Sequence, residues 1–227
     1  MMDAGILSGA VPRLASSVSP AVLTRIPASG RVIYLTFDDG PGAGTNALLQ
    51  MLAACGARAT FFFSGAALDN HESGGRIAIE TLEDGHAVGV HGYEHLNAWL
   101  AGSRAAVADH RKGLDSLRRA MAGGREPATA RTPIRYTRPP YGKLTPALLT
   151  AYRHAALRAV LWDVDPLDYR ASPGETDAVI ERVRRRVRPG SIVLLHPHCR
   201  AWKDDPSALS RLLDLLAADG WRLEPLP

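Results

Sequence analysis

The chain alternates between short runs of β-prone apolar residues and stretches in which apolar residues recur every three or four positions. The run "RVIYLTF" is typical of a buried strand, whereas "TNALLQMLAACG" places Leu48, Leu49 and Leu52 on one helix face. Seven runs of the first kind predict strands at residues 31–37, 59–65, 86–90, 134–137, 157–164, 191–196 and 221–226. Helices are predicted at residues 45–56, 76–83, 103–122, 145–154, 175–187 and 206–220.

This order of elements indicates an α/β fold. Alternating strands and helices favour a mostly parallel sheet covered by helices, either closed into a barrel or open and doubly wound. The 227 residues are 46% hydrophobic, enough for one substantial core. We therefore predict an N-terminal extension at residues 1–30 and one domain at residues 31–227. Within that domain, Gly123 and Gly124 are expected to end the third helix, and residues 125–133 to form a polar loop.

Composition narrows the classes of function. Lys and Arg total 27 against 23 Asp and Glu, and the net charge of +4 is too small to predict a nucleic-acid partner. Two cysteines give no disulfide framework. No apolar run is long enough to predict a transmembrane segment, and the N-terminus lacks the basic start of a secretory signal. These features predict a cytoplasmic protein and leave its oligomeric state open.

Polar side chains cluster at the carboxyl ends of the predicted strands. Parallel α/β folds bring those ends to one face, where ligands bind and catalysis occurs. A shared active site explains so many titratable residues at strand ends better than separate solvated loops do. The residues concerned are Asp38, Asp39, His91, Arg138, Asp163, Asp165 and His196.

The segment "HGYEH" raises the possibility of a metal site. If a helical turn begins at His91, then His91 and His95 project from one side and can hold one ion. Either Asp38 or Asp39 would complete an Asp-His-His set, which fits zinc and is compatible with cobalt, nickel or manganese. The same set is found in non-haem iron oxygenases. The alternative interpretation of "DDGP" is a plain turn.

Five segments, "TFDDGPG", "HGYEH", "RPPYG", "WDVDPLDY" and "IVLLH", occur in this order. Their order and spacing resemble the motifs of the polysaccharide deacetylases, the NodB-homology domains of carbohydrate esterase family four. The resemblance implies a distorted seven-stranded (β/α) barrel. It also implies that Asp39, His91 and His95 bind the metal and that Asp38 is the catalytic base.

The resemblance implies further roles. His196 would be the catalytic acid, Asp165 its carboxylate partner, and Arg138 the cation that orients Asp38. The backbone N–H of Tyr141 would stabilise an oxyanion, Leu194 would line the acetyl pocket, and Tyr169 would form an aromatic wall where the family usually has Trp. Gly92 replaces the usual Ser or Thr, so a hydrogen bond that supports the metal ligands would be missing.

The implied activity is removal of N-acetyl groups from an amino-sugar oligosaccharide, polysaccharide or glycoconjugate, as in the compact chitooligosaccharide deacetylases. The alternatives are a deacylase or deformylase of another small or lipid-linked amide, and a carbohydrate-binding pseudoenzyme. His198 and Cys199 lie close enough in sequence to His196 to approach the metal or to shape the groove. Four aromatic residues near the motifs offer faces for sugar rings or for ordinary packing: Tyr93, Trp99, Tyr136 and Trp202.

Overall fold

The computed structural model describes residues 22–122, 132–205 and 207–227. The predicted helix stop at Gly123 and Gly124, nearly all of the predicted loop at 125–133, and most of the predicted N-terminal extension lie outside these residues. The boundary of that extension at residue 30 stays a prediction.

Eight strands lie in the described part of the chain. They are β1 (Val22–Leu23), β2 (Val32–Gly40), β3 (Thr60–Phe63), β4 (Ala87–Val90), β5 (Tyr136–Thr137), β6 (Arg158–Val160), β7 (Ile192–Leu195) and β8 (Arg222–Leu223). Seven of them coincide with the predicted runs, although β5, β6 and β8 are clearly shorter than predicted. The strand that the sequence analysis missed is β1, whose two residues are too few to show a pattern.

The helices cover the sheet. They are α1 (Thr45–Ala54), α2 (Gly65–Asn70), α3 (Gly74–Glu83), α4 (Ala98–Ala101), α5 (Ser103–Ala122), α6 (Pro146–His154), α7 (Thr176–Arg186), α8 (Arg200–Lys203) and α9 (Ala208–Ala218). The short helices α2, α4 and α8 were not predicted, because four to six residues do not complete two turns of a periodic pattern. None of the described helices is both long and apolar enough to cross a bilayer.

All the strand pairs are parallel, in the order β1-β6-β5-β4-β3-β2-β7, with β8 added beside β2. Two isolated bridges link the two ends of this strand order. Val164, after β6, pairs with Val193 in β7, and Arg25, after β1, pairs with Ser191, just before β7. The sheet therefore curls into a distorted barrel, which confirms the predicted α/β class. Eight strands replace the expected seven because β1 pairs with β6.

The core explains the continuous apolar runs of the sequence. Every residue of β3 and β7 is buried, as expected for parallel strands that are covered on both faces. On α5, the predicted inner residues Leu114, Leu117 and Met121 are buried as well. Packed in this way, the strands present their carboxyl ends at one rim of the barrel, where His91 follows β4 and His196 follows β7.

Candidate active site

The Asp38-Asp39 pair lies at an irregularity of β2. The register with β3 shifts between Asp38 and Gly40, and Asp39 adopts a left-handed backbone with φ of 70°. Neighbouring side chains of a regular strand point to opposite faces, whereas a bulge can redirect one of them. Here Nε2 of His91 lies 3.6 Å from Oδ2 of Asp38 and 3.4 Å from Oδ1 of Asp39. The bulge thus brings both carboxylates to one site.

The two histidines converge through a loop, and the helical turn that their spacing would allow does not form. His91 directly follows β4, and its Nδ1 lies 2.8 Å from the carbonyl oxygen of Arg138. His95 has a left-handed backbone with φ of 57°. Its Nε2 is 3.2 Å from Oδ1 of Asp39. The reversal of the loop, and not helical spacing, turns the second imidazole towards the first.

Asp109 on α5 anchors this loop. Its carboxylate accepts hydrogen bonds from the backbone N–H groups of Tyr93, at 2.9 Å, and Glu94, at 2.7 Å. A Cβ atom at Gly92 would come 2.5 Å from Oδ2 of Asp109, and the φ of 71° at this position also favours glycine. The hydrogen bonds of Asp109 support the loop although Gly92 lacks the hydroxyl usual in the family. Asp109 was missed from the sequence because it lies far from the motifs on a helix.

The donor atoms of Asp39, His91 and His95 fit a single divalent ion. Their ligand atoms all lie within 4.8 Å of one another, and two of the separations are 3.2 and 3.4 Å. Donors about 2.0 to 2.1 Å from a shared tetrahedral ion lie about 3.3 Å apart. The three side chains therefore lie close enough together to bind one metal ion.

The protonation states also fit. Burial opposes ionisation of Asp39, but the neighbouring histidines, led by His91 and His95, outweigh it and lower the pKa of this carboxyl. For His95, burial and the proximity of His91 lower the imidazole pKa despite the nearby carboxylates. Asp39 is therefore an anion and His95 is neutral at neutral pH, which are the forms that bind metals.

Arg138 holds Asp38 from the buried side of the site. The guanidinium is completely buried, and its Nη1 donates to Oδ1 of Asp38 at 2.7 Å and to the hydroxyl of Thr36 at 2.8 Å. Its Nε and Nη2 donate to the carbonyl oxygens of Val160 and Leu161. With four hydrogen bonds holding it in place, this cation fixes one oxygen of Asp38 and leaves the other facing His91.

The structure corrects the partner of His196. Asp165 was expected there, but Nδ1 of His196 lies 2.9 Å from Oδ1 of Asp168. Asp168 is fully buried, and its Oδ2 also accepts from the backbone N–H of His196 and the indole N–H of Trp202. The left-handed residue Leu167 begins a short 3₁₀ helix that turns Asp168 towards the ring.

This environment favours the protonated form of His196. Burial alone would lower its pKa. The hydrogen bond and negative charge of Asp168, together with the more distant Asp38 and Asp39, outweigh burial and raise the pKa to about 9. His196 therefore carries a proton at neutral pH.

Asp165 and Asp163 have other contacts. Asp165 accepts from the backbone N–H of Leu167 at 2.9 Å, and its Oδ2 lies 3.4 Å from the hydroxyl of Tyr169. Asp163 accepts from the N–H of Ile192 and the hydroxyl of Ser191, so it supports the junction with β7. The sequence "WDVDPLDY" holds three aspartates, and its pattern does not indicate which of them faces His196.

The remaining predicted substrate residues surround these groups. The ring centroid of Tyr141 lies 4.5 Å from that of His95, and Tyr141 has a left-handed backbone with φ of 57°. Tyr169 stands edge-on to His196 at 5.1 Å. Leu194 is buried in β7. Tyr141 and Tyr169 lie in contact with site histidines, and the roles of all three in substrate binding stay predictions.

The segment after His196 lines one side of the site. Nε2 of His198 lies 3.6 Å from Oδ2 of Asp39. Burial and the charge of Asp168 raise the pKa of the Cys199 thiol to about 12, which leaves it protonated and a poor metal ligand. Beside Asp39 lies a cavity of about 350 Å³ whose walls include Leu48, Met51, Pro197, His198, Trp202 and Leu209.

Of the four aromatic residues singled out in the sequence, two are excluded as sugar-binding faces. Tyr136 and Trp202 are buried, and they use their polar atoms to bind the carbonyl of Pro227 and the carboxylate of Asp168. Tyr93 is half-buried, and the ammonium of Lys112 lies over its ring. Only Trp99 among the four is exposed.

Comparison with known proteins agrees with this geometry. The family model described as polysaccharide deacetylase matches residues 25–160. The chitooligosaccharide deacetylase of Sinorhizobium fredii is 35% identical to this chain, and the alignment covers 90% of this chain and 96% of that relative. The chitooligosaccharide deacetylase of Azorhizobium caulinodans is 32% identical, and the alignment covers 89% of this chain and 96% of that relative. The crystal structure of a peptidoglycan N-acetylglucosamine deacetylase is 25% identical with a TM-score of 0.79, covering 96% of this chain and 95% of that one. The chain belongs to the polysaccharide deacetylase family.

Proposed function

We propose that the protein is a metal-dependent hydrolase that removes N-acetyl groups from amino-sugar oligosaccharides of the chitooligosaccharide type. The observation that carries this proposal is the arrangement of the site: a donor set for one metal lies in one cluster with a buried carboxylate and a protonated histidine. Asp38 lies against one of the histidine ligands, and His196 lies close enough to Asp38 and Asp39 for their charges to raise its pKa. The names of the two rhizobial relatives support the substrate class.

Asp39, His91 and His95 would hold the cation. When bound, the cation supplies Lewis acidity, which makes a water molecule more acidic and polarises the amide carbonyl. We propose zinc as this ion, because zinc favours a small set of nitrogen and oxygen ligands that leaves a position open for substrate. Metal analysis of the purified protein, followed by reconstitution with zinc, cobalt, nickel and manganese, tests the choice of ion.

Asp38 is placed to act as the general base. Its Oδ1 is held by Arg138, so the carboxylate cannot rotate freely, and its Oδ2 faces the metal ligands. A general base must reach the proton that it removes, and a fixed orientation keeps it in reach. Asp38 would therefore take a proton from the attacking water and leave Asp39 to bind the metal.

His196 is placed to act as the general acid. An amine is a poor leaving group until its nitrogen is protonated, so amide hydrolysis needs a donor on the leaving side. The ring carries its proton at neutral pH because Asp168 accepts from Nδ1, which leaves Nε2 to donate. The Tyr169 ring beside His196 limits the approach of solvent to the imidazole.

The two readings from other classes fit less well. An iron oxygenase would have no use for a buried Arg138-Asp38 pair and a protonated His196 next to its donor set. A carbohydrate-binding pseudoenzyme would not need the three metal ligands, the base Asp38 and the acid His196 together in one site. Oxygen consumption with ferrous iron and a keto acid would support the first, and sugar binding without release of amine would support the second.

A second candidate within the family is hydrolysis of amides with longer acyl groups. The cavity of about 350 Å³ beside Asp39 favours it, because Leu48, Met51 and Leu209 give its wall an apolar character. A series of N-acyl glucosamine oligomers from formyl to hexanoyl distinguishes the two. Highest kcat/KM with acetyl supports the proposed function, and highest kcat/KM with hexanoyl supports the second candidate.

The main experiment measures released acid and free amine from a panel of substrates incubated with the metal-loaded protein. The panel contains N-acetylglucosamine oligomers, acetylxylan and small acylated amides. We expect amine release from the oligomers, retained metal but lost activity in Asp38→Asn, and loss of both in His91→Ala. The exposed His154 provides the control, since His154→Ala removes an imidazole far from the motifs. Parental turnover by Asp38→Asn would refute the assignment of the base.

A further inference from the structure

The exposed aromatic side chains of the described chain are concentrated around the site. Its exposed large hydrophobic residues are Trp99, Leu100, Tyr141 and Tyr169. Tyr141 contacts His95 on the metal side, and Tyr169 contacts His196 on the acid side. Trp99 packs against the segment that follows Tyr141, and the mechanism assigns it no role.

The orientation of Trp99 is fixed, although 56% of the residue is exposed. Its indole N–H donates to the carbonyl oxygen of Leu144 at 2.9 Å, and its backbone N–H donates to the side chain of Asn97 at 3.0 Å. The ammonium of Lys143 lies 4.2 Å from the ring centroid, over one face. These contacts satisfy the polar atoms of the residue and hold the ring edge, so that the opposite face is available to a ligand.

The position of Trp99 connects it to the reaction centre. It lies on α4, four residues after the metal ligand His95, and Lys143 lies two residues after Tyr141. The contacts of Trp99 with Lys143 and Leu144 thus place α4 beside the segment that follows Tyr141. A sugar chain bound at the metal and extending past Tyr141 would reach Trp99.

A rigid indole suits a pyranose ring. The axial C–H groups of an amino sugar form an apolar face that can pack on an aromatic ring, while its hydroxyls remain in water. Because the Trp99 ring is already held in place, binding would cost little additional side-chain entropy.

We propose that Trp99 forms a sugar-binding subsite, occupied by a residue of the oligomer other than the one that is deacetylated. This inference rests on the proposed function, since it assumes an amino-sugar chain at the metal. It makes the enzyme selective for chains long enough to span from the metal past Tyr141. Tetramers are then better substrates than dimers, and Trp99 is the residue that sets the difference.

The experiment compares β-1,4-linked N-acetylglucosamine dimers and tetramers with the parent, Trp99→Ala, Trp99→Phe and Leu100→Ala. Leu100 is the matched control because it is the exposed neighbour of Trp99 on the same helix. We expect Trp99→Ala to lower the tetramer-to-dimer ratio of kcat/KM by about three- to tenfold. Trp99→Phe should restore part of this ratio, and Leu100→Ala should keep the parental value. A parental ratio in Trp99→Ala, or an equal loss in Leu100→Ala, would overturn the proposal.

Calorimetric binding of the tetramer to Asp38→Asn, with and without Trp99→Ala, separates the subsite from the proposed function. If the tetramer binds in a Trp99-dependent manner but no oligomer releases amine from the parent, the deacetylase proposal fails and the subsite stands. If all oligomers are deacetylated and Trp99→Ala changes neither binding nor the ratio, the subsite fails alone. Absence of both binding and turnover rejects both.

Discussion

Replacement of Asp168 by Asn tests the assignment of the catalytic acid. In the parent, burial lowers the pKa of His196, but the hydrogen bond and charge of Asp168, together with the charges of Asp38 and Asp39, raise it from 6.5 to about 9. Without the charge of Asp168, burial opposes only the weaker effect of Asp38 and Asp39, and we expect the pKa to fall towards 6.5. If the pKa falls the whole way to 6.5, the protonated fraction at pH 8 falls from about 90% to about 3%, so a 30-fold loss of the acid form is roughly the upper limit.

The assay is a pH profile of kcat with an N-acetylglucosamine oligomer. A general acid gives activity that falls as pH rises through its pKa, so the basic limb should move from near pH 9 towards pH 6.5 in Asp168→Asn. Asp165→Asn is the comparison, because family resemblance pointed to Asp165. We expect the limb to move less in Asp165→Asn than in Asp168→Asn. An NMR titration of His196 reads the same pKa without turnover.

The assignment of Asp168 is refuted if folded Asp168→Asn has the same basic limb in its pH profile as the parent. It is also refuted if Asp165→Asn shifts this limb as far as Asp168→Asn does. Circular dichroism checks the fold, because Asp168 also accepts from Trp202 and from backbone N–H groups. Asn keeps an acceptor oxygen at this position, so most of those hydrogen bonds can persist.

Three further predictions concern stability and the metal loop. Arg138→Met leaves Asp38 buried without its cation, and chemical denaturation should show a loss of about 3 to 5 kcal/mol in the free energy of unfolding; a loss below 1 kcal/mol would contradict this. Asp109→Ala removes two hydrogen bonds to the loop between His91 and His95, and equilibrium dialysis should show that metal affinity is about 10- to 100-fold weaker. The control is the exposed Asp115→Ala, which should bind the metal as the parent does. Burial lowers the pKa of His110 from 6.5 to about 4, so the unfolded chain binds a proton that the folded one does not. The free energy of unfolding should therefore fall as the pH is lowered from 6.5 to 4, and it should fall less steeply in His110→Leu than in the parent. Chemical denaturation at several pH values measures both slopes, and equal slopes would exclude His110 as the cause.

Strong periodic patterns predicted most of the fold. The inner face of α5 and the continuous apolar runs of β3 and β7 were recognisable because burial requires them. The cap at Thr145, whose hydroxyl accepts from the N–H of Leu148, was recognisable as well. The short elements β1, α2, α4 and α8 were not predicted, because tertiary contacts and not local pattern determine them.

The site divides in a similar way. Residues at the carboxyl ends of strands, such as Asp38, His91 and His196, were identified because strand ends converge. Asp168 and Asp109 were not identified as partners of site groups, because each acts through a turn or a helix whose orientation depends on the assembled barrel. One-dimensional spacing does not record which of several nearby carboxylates faces a given ring.

The left-handed backbones at Asp39, His95 and Tyr141 have a consequence for engineering. Non-glycine residues in this region store about 1 to 3 kcal/mol each, which the rest of the fold must offset. Screening a random library for heat resistance alone would therefore reward glycine or asparagine at these three places. Such variants would be more heat-stable than the parent but would lack a metal ligand or an active-site side chain. Selection for heat resistance in this scaffold therefore has to include a requirement for turnover.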